Sequence, residues 1–327
     1  MPAGVISGPF VGPSKQKTVA ERIATTLYSS TCRSPKTQTQ TQTTRAVATN
    51  TSADASQLIS VVCISDTHNT FPSPLPMGDI LVHAGDLSQY GTFAEVQAQL
   101  KWLASQPHPY KVVIAGNHDL ILDSNFVSAH PDRELNRPGQ SRSDLDWGGI
   151  HYLEHDYIDL CLKHLSRTIR IFGSPWTPRF GNFAFQYGPE ADVFSWKASI
   201  PPRTDLMLVH GPPKGHLDDG GRGCPALLAE LWRAKPKVVV CGHIHAGRGE
   251  QDLFFDRIQA NYEAVVMGTK PWPSLFSLAL CYTWHKLGTF IGLSPRNRQV
   301  KDTHLVNATM VRGRGGNGRL DAVVVNV

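Results

Sequence analysis

Charge and cysteine are both scarce in this chain. Only 18% of its 327 residues are Asp, Glu, Lys or Arg, and the formal net charge is +5. That surplus is too small to imply a nucleic-acid partner. The six cysteines include no C-x-x-C pair, so neither a ribbon-type zinc site nor a disulfide framework is indicated. Cys63 and Cys241 lie in apolar runs, where reduced cysteine behaves as a small hydrophobe. A reducing compartment, and hence a cytoplasmic location, is the expectation. No early apolar segment with a cleavage site is present, so the acceptor patterns at Asn50 and Asn307 are expected to stay unmodified. Acid is almost absent from the first fifty residues, where Glu21 alone stands against six Lys and Arg. Residues 1–56 are rich in Ser, Thr and Gln and lack apolar periodicity, which predicts a disordered tail. Its basic, hydroxyl-rich character also fits organelle import, the alternative location.

Long hydrophobic runs are scarce as well. Ser274 to Leu293 approaches a bilayer span in length, yet it contains His285 and Lys286 and frequent Ser, Thr and Tyr. It reads as an apolar helical insert at about 270–300 packed on the domain, with no membrane span expected.

What is present is a regular alternation through residues 57–327, read as one domain. Short apolar strands (LISVVCIS, DILVHAG, YKVVIAG, TIRIFGS, DLMLVHG, KPKVVVCG and YEAVVMG) alternate with helical stretches such as FAEVQAQLKWLAS and CPALLAELWRA. This pattern predicts an α/β architecture with both sheet faces covered. Asp123 to Gly149 reads as a long polar surface excursion. THLVNATMV and LDAVVVNV flank RGRGGNGR and read as a hairpin with a Gly-rich loop.

The polar residues cluster at the carboxyl ends of the strands, where ligands of open α/β sheets gather. Successive apolar runs end in Asp66-Thr67-His68, Gly85-Asp86, Gly116-Asn117-His118-Asp119, His210-Gly211 and Gly242-His243-Ile244-His245. Carboxylate, carboxamide and imidazole together, without thiolate, point to a borderline divalent ion such as Mn, Fe, Ni, Zn or Co. Any one of these tripeptides is ordinarily a turn; five in order on strand ends are not.

The series Asp66-x-His68, Gly85-Asp86, Gly116-Asn117-His118-Asp119, His210 and Gly242-His243-x-His245 resembles the signature of the calcineurin-like metallophosphoesterases. Gly173 to Phe185, His210 to Asp219 and Leu305 to Val311 are similar to the metallophosphoesterase-domain-containing branch, related to class III cyclic nucleotide phosphodiesterases. The resemblance implies an α/β/β/α sandwich, two mixed β-sheets flanked by helices. It also implies two divalent metal ions, one on Asp66, His68, Asp86 and His245 and the other on Asp86, Asn117, His210 and His243, with Asp86 bridging. Two such ions acidify a bridging water and stabilise an in-line displacement at phosphorus. Mammalian members of the branch carry Gly at the position of His243, whereas this chain keeps imidazole. Protein phosphatases carry Asp at the position of Gln89, which disfavours that activity here.

By the same resemblance His118 is the catalytic residue, placed beside the leaving oxygen and not on metal, and Asn117 and His118 contact substrate. Trp176 and Phe180 are candidates for stacking on a nucleobase, with core packing as the plainer reading. Asp119 is expected to cap the following helix, or else to orient a neighbour. His83 is either a support for the site or a buried structural histidine. The expected activity is a phosphodiesterase acting on a small phosphoester, cyclic nucleotides included. A phosphomonoesterase or nuclease on the same site, and a non-catalytic scaffold, are the alternatives.

Overall fold

A computed structural model describes residues 17–33, 58–188, 195–290, 303–311 and 320–327. The elements in chain order are α1 (Val19–Tyr28), β1 (Ser60–Ile64), β2 (Ile80–Ala84), α2 (Phe93–Ala104), β3 (Tyr110–Ile114), α3 (Ser124–Ala129), β4 (His151–Tyr152), β5 (Asp156–Leu162) and β6 (Arg167–Ser174). They continue with β7 (Thr177–Pro178), β8 (Gln186–Tyr187), β9 (Leu206–Val209), α4 (Pro225–Ala234), β10 (Val238–Cys241), β11 (Gly249–Leu253), α5 (Arg257–Val266), α6 (Pro271–Phe290), β12 (Thr303–Asn307) and β13 (Val323–Asn326).

Two mixed sheets form. The five-stranded sheet runs β13-β1-β2-β3-β4, parallel except for β13 at its edge. The six-stranded sheet runs β11-β12-β10-β9-β6-β5, with β11 and β5 antiparallel to their neighbours. Side chains alternate along each strand, and that alternation sorts the core into layers. Cys63, Val82, Ile114, Ile171, Leu208 and Val240 meet between the sheets. Ile64, Leu81 and Val113 face outward onto Val96, Leu100 and Leu103 of α2. Met207, Val239 and Cys241 face outward onto Leu227 and Leu231 of α4. Strands covered on both faces carry near-continuous apolar runs, and the result is an α/β/β/α sandwich of the α/β class.

Three local expectations are corrected. YEAVVMG is not a strand: Asp256 caps α5 by accepting from Gln259 N–H, and Ile258, Tyr262 and Val265 are buried at helical spacing. THLVNATMV and LDAVVVNV are not a hairpin, because β12 pairs with β10 and β11 while β13 pairs with β1 in the other sheet. Residues 312–319 between them lie outside the described residues. The N-terminal stretch contains a packed helix. Thr18 and Glu21 form a reciprocal capping box on α1, and Ala20, Ala24 and Tyr28 pack against α5 and α6, with Tyr28 stacked on Tyr262 at 4.2 Å. The rest of the expected tail lies outside the described residues.

The excursion after Asp123 is pinned to the body. One oxygen of the Asp123 carboxylate caps α3 and the other accepts from Phe185 N–H, while Phe126, Leu135 and Leu145 are buried.

Candidate metal centre

The candidate ligands come from strand ends in both sheets. In the five-stranded sheet, Asp66 and His68 follow β1, Asp86 follows β2, and Asn117 and His118 follow β3. In the six-stranded sheet, His210 follows β9, and His243 and His245 follow β10. Ligand atoms of Asp66, His68 and His245 lie within 4.8 Å of one another, as do those of Asp86, His210 and His243. Each group thus takes donors from both sheets. Asn117 joins the second group through its amide oxygen, 3.0 Å from His210 Nε2. Asp86 reaches toward both, with Oδ1 3.3 Å from His210 Nε2 and Oδ2 3.7 Å from His68 Nε2.

The backbone is contorted to bring these groups in. Asp66, His68, Asp86 and His243 have φ of 54°, 41°, 55° and 63°, a region that costs a non-glycine residue about 1–2 kcal/mol. Such strain gathers at functional positions, where the surroundings over-determine it. Two glycines permit the close approach. A Cβ on Gly116 would fall 2.2 Å from Asp86 Oδ1 and 2.7 Å from His210 Cε1, and one on Gly242 would fall 2.1 Å from Asp66 Oδ2.

Hydrogen bonds then fix which imidazole nitrogen is free. His210 donates from Nδ1 to the Ala84 carbonyl at 2.9 Å, and His68 directs Nδ1 to the Ser88 carbonyl at 3.3 Å. That leaves Nε2 of each ring as the ligand atom, the arrangement by which proteins orient metal-binding histidines. At His210, Nε2 faces the oxygens of Asp86 and Asn117. Protonated, it donates to them; deprotonated, it joins them as a third donor atom for a cation.

The electrostatics couple these side chains across the two sheets. Burial acts to lower the pKa of His210, but the charge of Asp86 and the hydrogen bond to it take it up to about 9. Burial and the neighbouring His210 push His243 down to about 3, leaving a neutral imidazole with a lone pair to offer. Burial works to raise Asp66, yet the hydrogen bond and charge of His245 hold its carboxyl well below the usual range. Buried carboxylate, amide oxygen and neutral imidazole form a donor set that fits a borderline divalent ion.

His118 stands beside both groups and belongs to neither. Its backbone N–H donates to Asp86 Oδ1 and its ring Nδ1 donates to the Gln89 carbonyl, both at 2.8 Å. Its ring lies edge-on to His68 and tilted on Phe183, each at 4.9 Å between centroids.

Other candidates resolve differently. Asp119 does not cap a helix with its side chain. Its carboxylate accepts from Leu87 N–H, Ser88 N–H, Ser88 Oγ–H and Gly116 N–H, lacing the Asp86 loop to the Asn117 loop. His83 is buried and neutral, since burial takes its pKa down to about 3, and it bonds Thr67 Oγ1 at 3.0 Å and accepts from Gly85 N–H. Trp176 packs edge-on to Phe185 among the core residues outside the five-stranded sheet, while Phe180 is exposed.

Sequence reasoning missed Phe183 and Asn307. Asn307 is fully buried and donates to the Ile244 carbonyl at 3.0 Å, bracing the turn that carries His243 and His245. Its glycosylation-like pattern hid that role, and burial closes it to modification.

Comparison with known proteins agrees with this geometry. The model of the calcineurin-like phosphoesterase family matches residues 59–247. A probable rhamnogalacturonate lyase C of Emericella nidulans is 41% identical over 305 residues, 92% of this chain but 27% of that protein. Human metallophosphoesterase domain-containing protein 1 is 37% identical over 199 residues, covering 58% of this chain and 61% of that one. UPF0046 protein C25E10.12 of Caenorhabditis elegans is 34% identical over 205 residues, 58% of this chain and 70% of that one. The chain therefore spans about a quarter of the first relative and about three-fifths of the second. The family match runs unbroken over the strand ends from Asp66 to His245, and the chain belongs to the calcineurin-like phosphoesterase family.

Proposed function

We propose that the chain is a metal-dependent phosphoesterase with two divalent ions and a preference for small phosphodiesters. The observation that carries this reading is the convergence of carboxylate and imidazole ligand atoms in two neighbouring groups, with Asp86 turned toward both. Asp66, His68 and His245 would hold one ion, Asn117, His210 and His243 the other, and Asp86 would lend an oxygen to each. When bound, such ions supply positive charge to phosphoryl oxygens and acidify a water. Mn, Fe, Ni, Zn and Co all suit these donors.

His118 is assigned to the leaving group. With Nδ1 held by the Gln89 carbonyl, Nε2 is the atom that can carry a proton to the departing oxygen. Phe183 buttresses the ring and limits its rotation. A diester is favoured because the side chains gathered here, among the described residues, are His, Asp and Asn. A dianionic monoester would call for Lys or Arg beside them. A cytoplasmic location is part of the same proposal.

The test is metal analysis with hydrolysis of bis-p-nitrophenyl phosphate, p-nitrophenyl phosphate and cyclic nucleotides by the metal-loaded protein. Faster turnover of the diesters supports the reading. Faster turnover of the monoester would transfer the site to phosphomonoester chemistry, and no turnover of any with two ions bound would favour a scaffold.

A further inference from the structure

Helix α6 faces two different surroundings. Leu275 and Leu278 are buried against α1 and α5. On the other side Trp272, Phe276, Leu280, Trp284 and Leu287 are 64, 68, 47, 72 and 49% exposed. At about 100° per residue these five positions fall within an arc of roughly 120° and a length of roughly 22 Å, one continuous stripe. An apolar face of this size on a folded domain marks an interaction surface.

Charge identifies what covers it. From Ala264 to Phe290 the sequence contains no Asp or Glu, and it carries Lys270 and Lys286. Lys286 is exposed at the border of the stripe, its ammonium 5.7 Å from the Tyr282 ring centroid. A second copy docked on this face would bring like charges together with no acid on the helix to offset them. A negatively charged lipid surface complements them, and the two tryptophans toward the ends of the stripe suit the headgroup boundary. Among the described residues no helix is long and apolar enough to cross a membrane, so the helix would lie on the surface. We propose that α6 docks the protein on an anionic lipid bilayer, its tryptophan-bearing stripe set into the interfacial plane and Lys270 and Lys286 against the headgroups.

The experiment is co-sedimentation of the full chain with vesicles of phosphatidylcholine alone and of phosphatidylcholine with about 30% phosphatidylserine, a charge density that attracts basic segments. Binding is expected to be about tenfold stronger to the anionic vesicles and to weaken when salt is raised from about 0.1 to about 1 M, where the Debye length shrinks to about 3 Å. The combined variant Trp272→Ser, Phe276→Ser and Trp284→Ser should bind about tenfold less or weaker still, with an unchanged melting temperature because the three side chains touch solvent. If that variant does not fold, quenching of the wild-type tryptophan fluorescence by brominated anionic lipid decides: quenching supports the proposal and its absence overturns it. Wild-type protein that stays in the supernatant, or binding that the variant leaves intact, would overturn it too. A dimer in light scattering that the variant converts to monomer would assign the stripe to a second copy and equally overturn it.

Discussion

Replacing His243 with glycine should empty one metal position while leaving the fold intact. The ligand atoms of His243 cluster with those of Asp86 and His210. Without it, that position rests on His210, a carboxylate turned toward both groups, and the neutral amide of Asn117. Even the loss of a hydrogen-bond partner behind a ligand costs about 10–100-fold in metal affinity, so loss of the ligand itself should cost at least about 100-fold, or ~2.7 kcal/mol. Folding should not suffer in proportion. The residue has φ 63°, where glycine avoids the roughly 1–2 kcal/mol penalty of a side chain. The backbone N–H that donates to Asp66 is also retained. The other group, Asp66, His68 and His245, therefore stays assembled. The assay strips the protein with chelator, reloads it with limiting Mn and measures ions per chain, diester turnover and the melting temperature of the stripped form. One ion per chain, a reduced rate that excess Mn partly restores by mass action, and an unchanged or raised melting temperature are expected. Two ions retained at wild-type affinity with an unchanged rate would refute the assignment of His243 and, with it, the two-ion centre.

His118→Ala should lower turnover by about 100-fold to 10,000-fold for an alkyl leaving group and much less for p-nitrophenolate, which departs with little help, while metal content measured by mass spectrometry stays at the wild-type value. Gly116→Ala should abolish high-affinity metal binding, because the added methyl falls on Asp86 Oδ1 and His210; stoichiometric binding in a titration would contradict the close approach. Removing residues 1–56 strips Ala20, Ala24 and Tyr28 from α5 and α6; the truncated chain should melt a few degrees lower, at about 2–4 °C per kcal/mol, yet keep its turnover below that temperature because none of the removed residues is a ligand. His304 sits between Asp252 and Glu250, which outweigh burial and take its pKa up to about 9. A raised pKa stabilises the fold fully below about pH 6.5 and less as pH rises through 9, on the order of 1–2 kcal/mol after allowance for partly exposed partners. Urea midpoints should fall across that window, and the fall should shrink in His304→Gln.

How legible the molecule was depended on the range of the interactions involved. Strands such as ILVHA, buried at every position, announce themselves because covering both faces of a parallel sheet favours apolar side chains, His83 being accommodated by its hydrogen bonds. The candidate ligands stood out for a related reason. Strand ends are where backbone pairing stops, so Asp66, Asp86, Asn117, His210 and His243 stood out against the apolar runs before them. What failed was decided by partners far away in sequence. Whether VVVN follows THLVN in a hairpin or crosses to the other sheet depends on β1 and β10, and neither is readable from the two segments. The helix α1 escaped because its buried face is mostly alanine, too weak an apolar signal until Tyr28 meets Tyr262. Asp119 looked like a cap since Asp before a short helix usually is one. Its actual partners, Leu87 and Ser88, sit at the end of a different strand.

The division of the site between two sheets explains why so much structure serves a few ligands. Neither group is complete on one sheet: Asp66 and His68 need His245, and His210 and His243 need Asp86. Their mutual placement is therefore set by the layer between the sheets, where Val61, Cys63, Val82 and Ile114 face Ile171, Leu208 and Val240. Packed interiors transmit small displacements because they contain few voids to absorb them. Above that layer the loops are locked by contacts that cross from one ligand-bearing turn to the next: Asp119 from the third strand to the Asp86 loop, His210 Nδ1 to Ala84 at the end of the second, and Asn307 to the turn of His243 and His245. Four left-handed ligand-bearing residues can persist only in such a frame. The strain is carried by the sandwich itself, which holds its two sheets in register and with them the side chains at their edge.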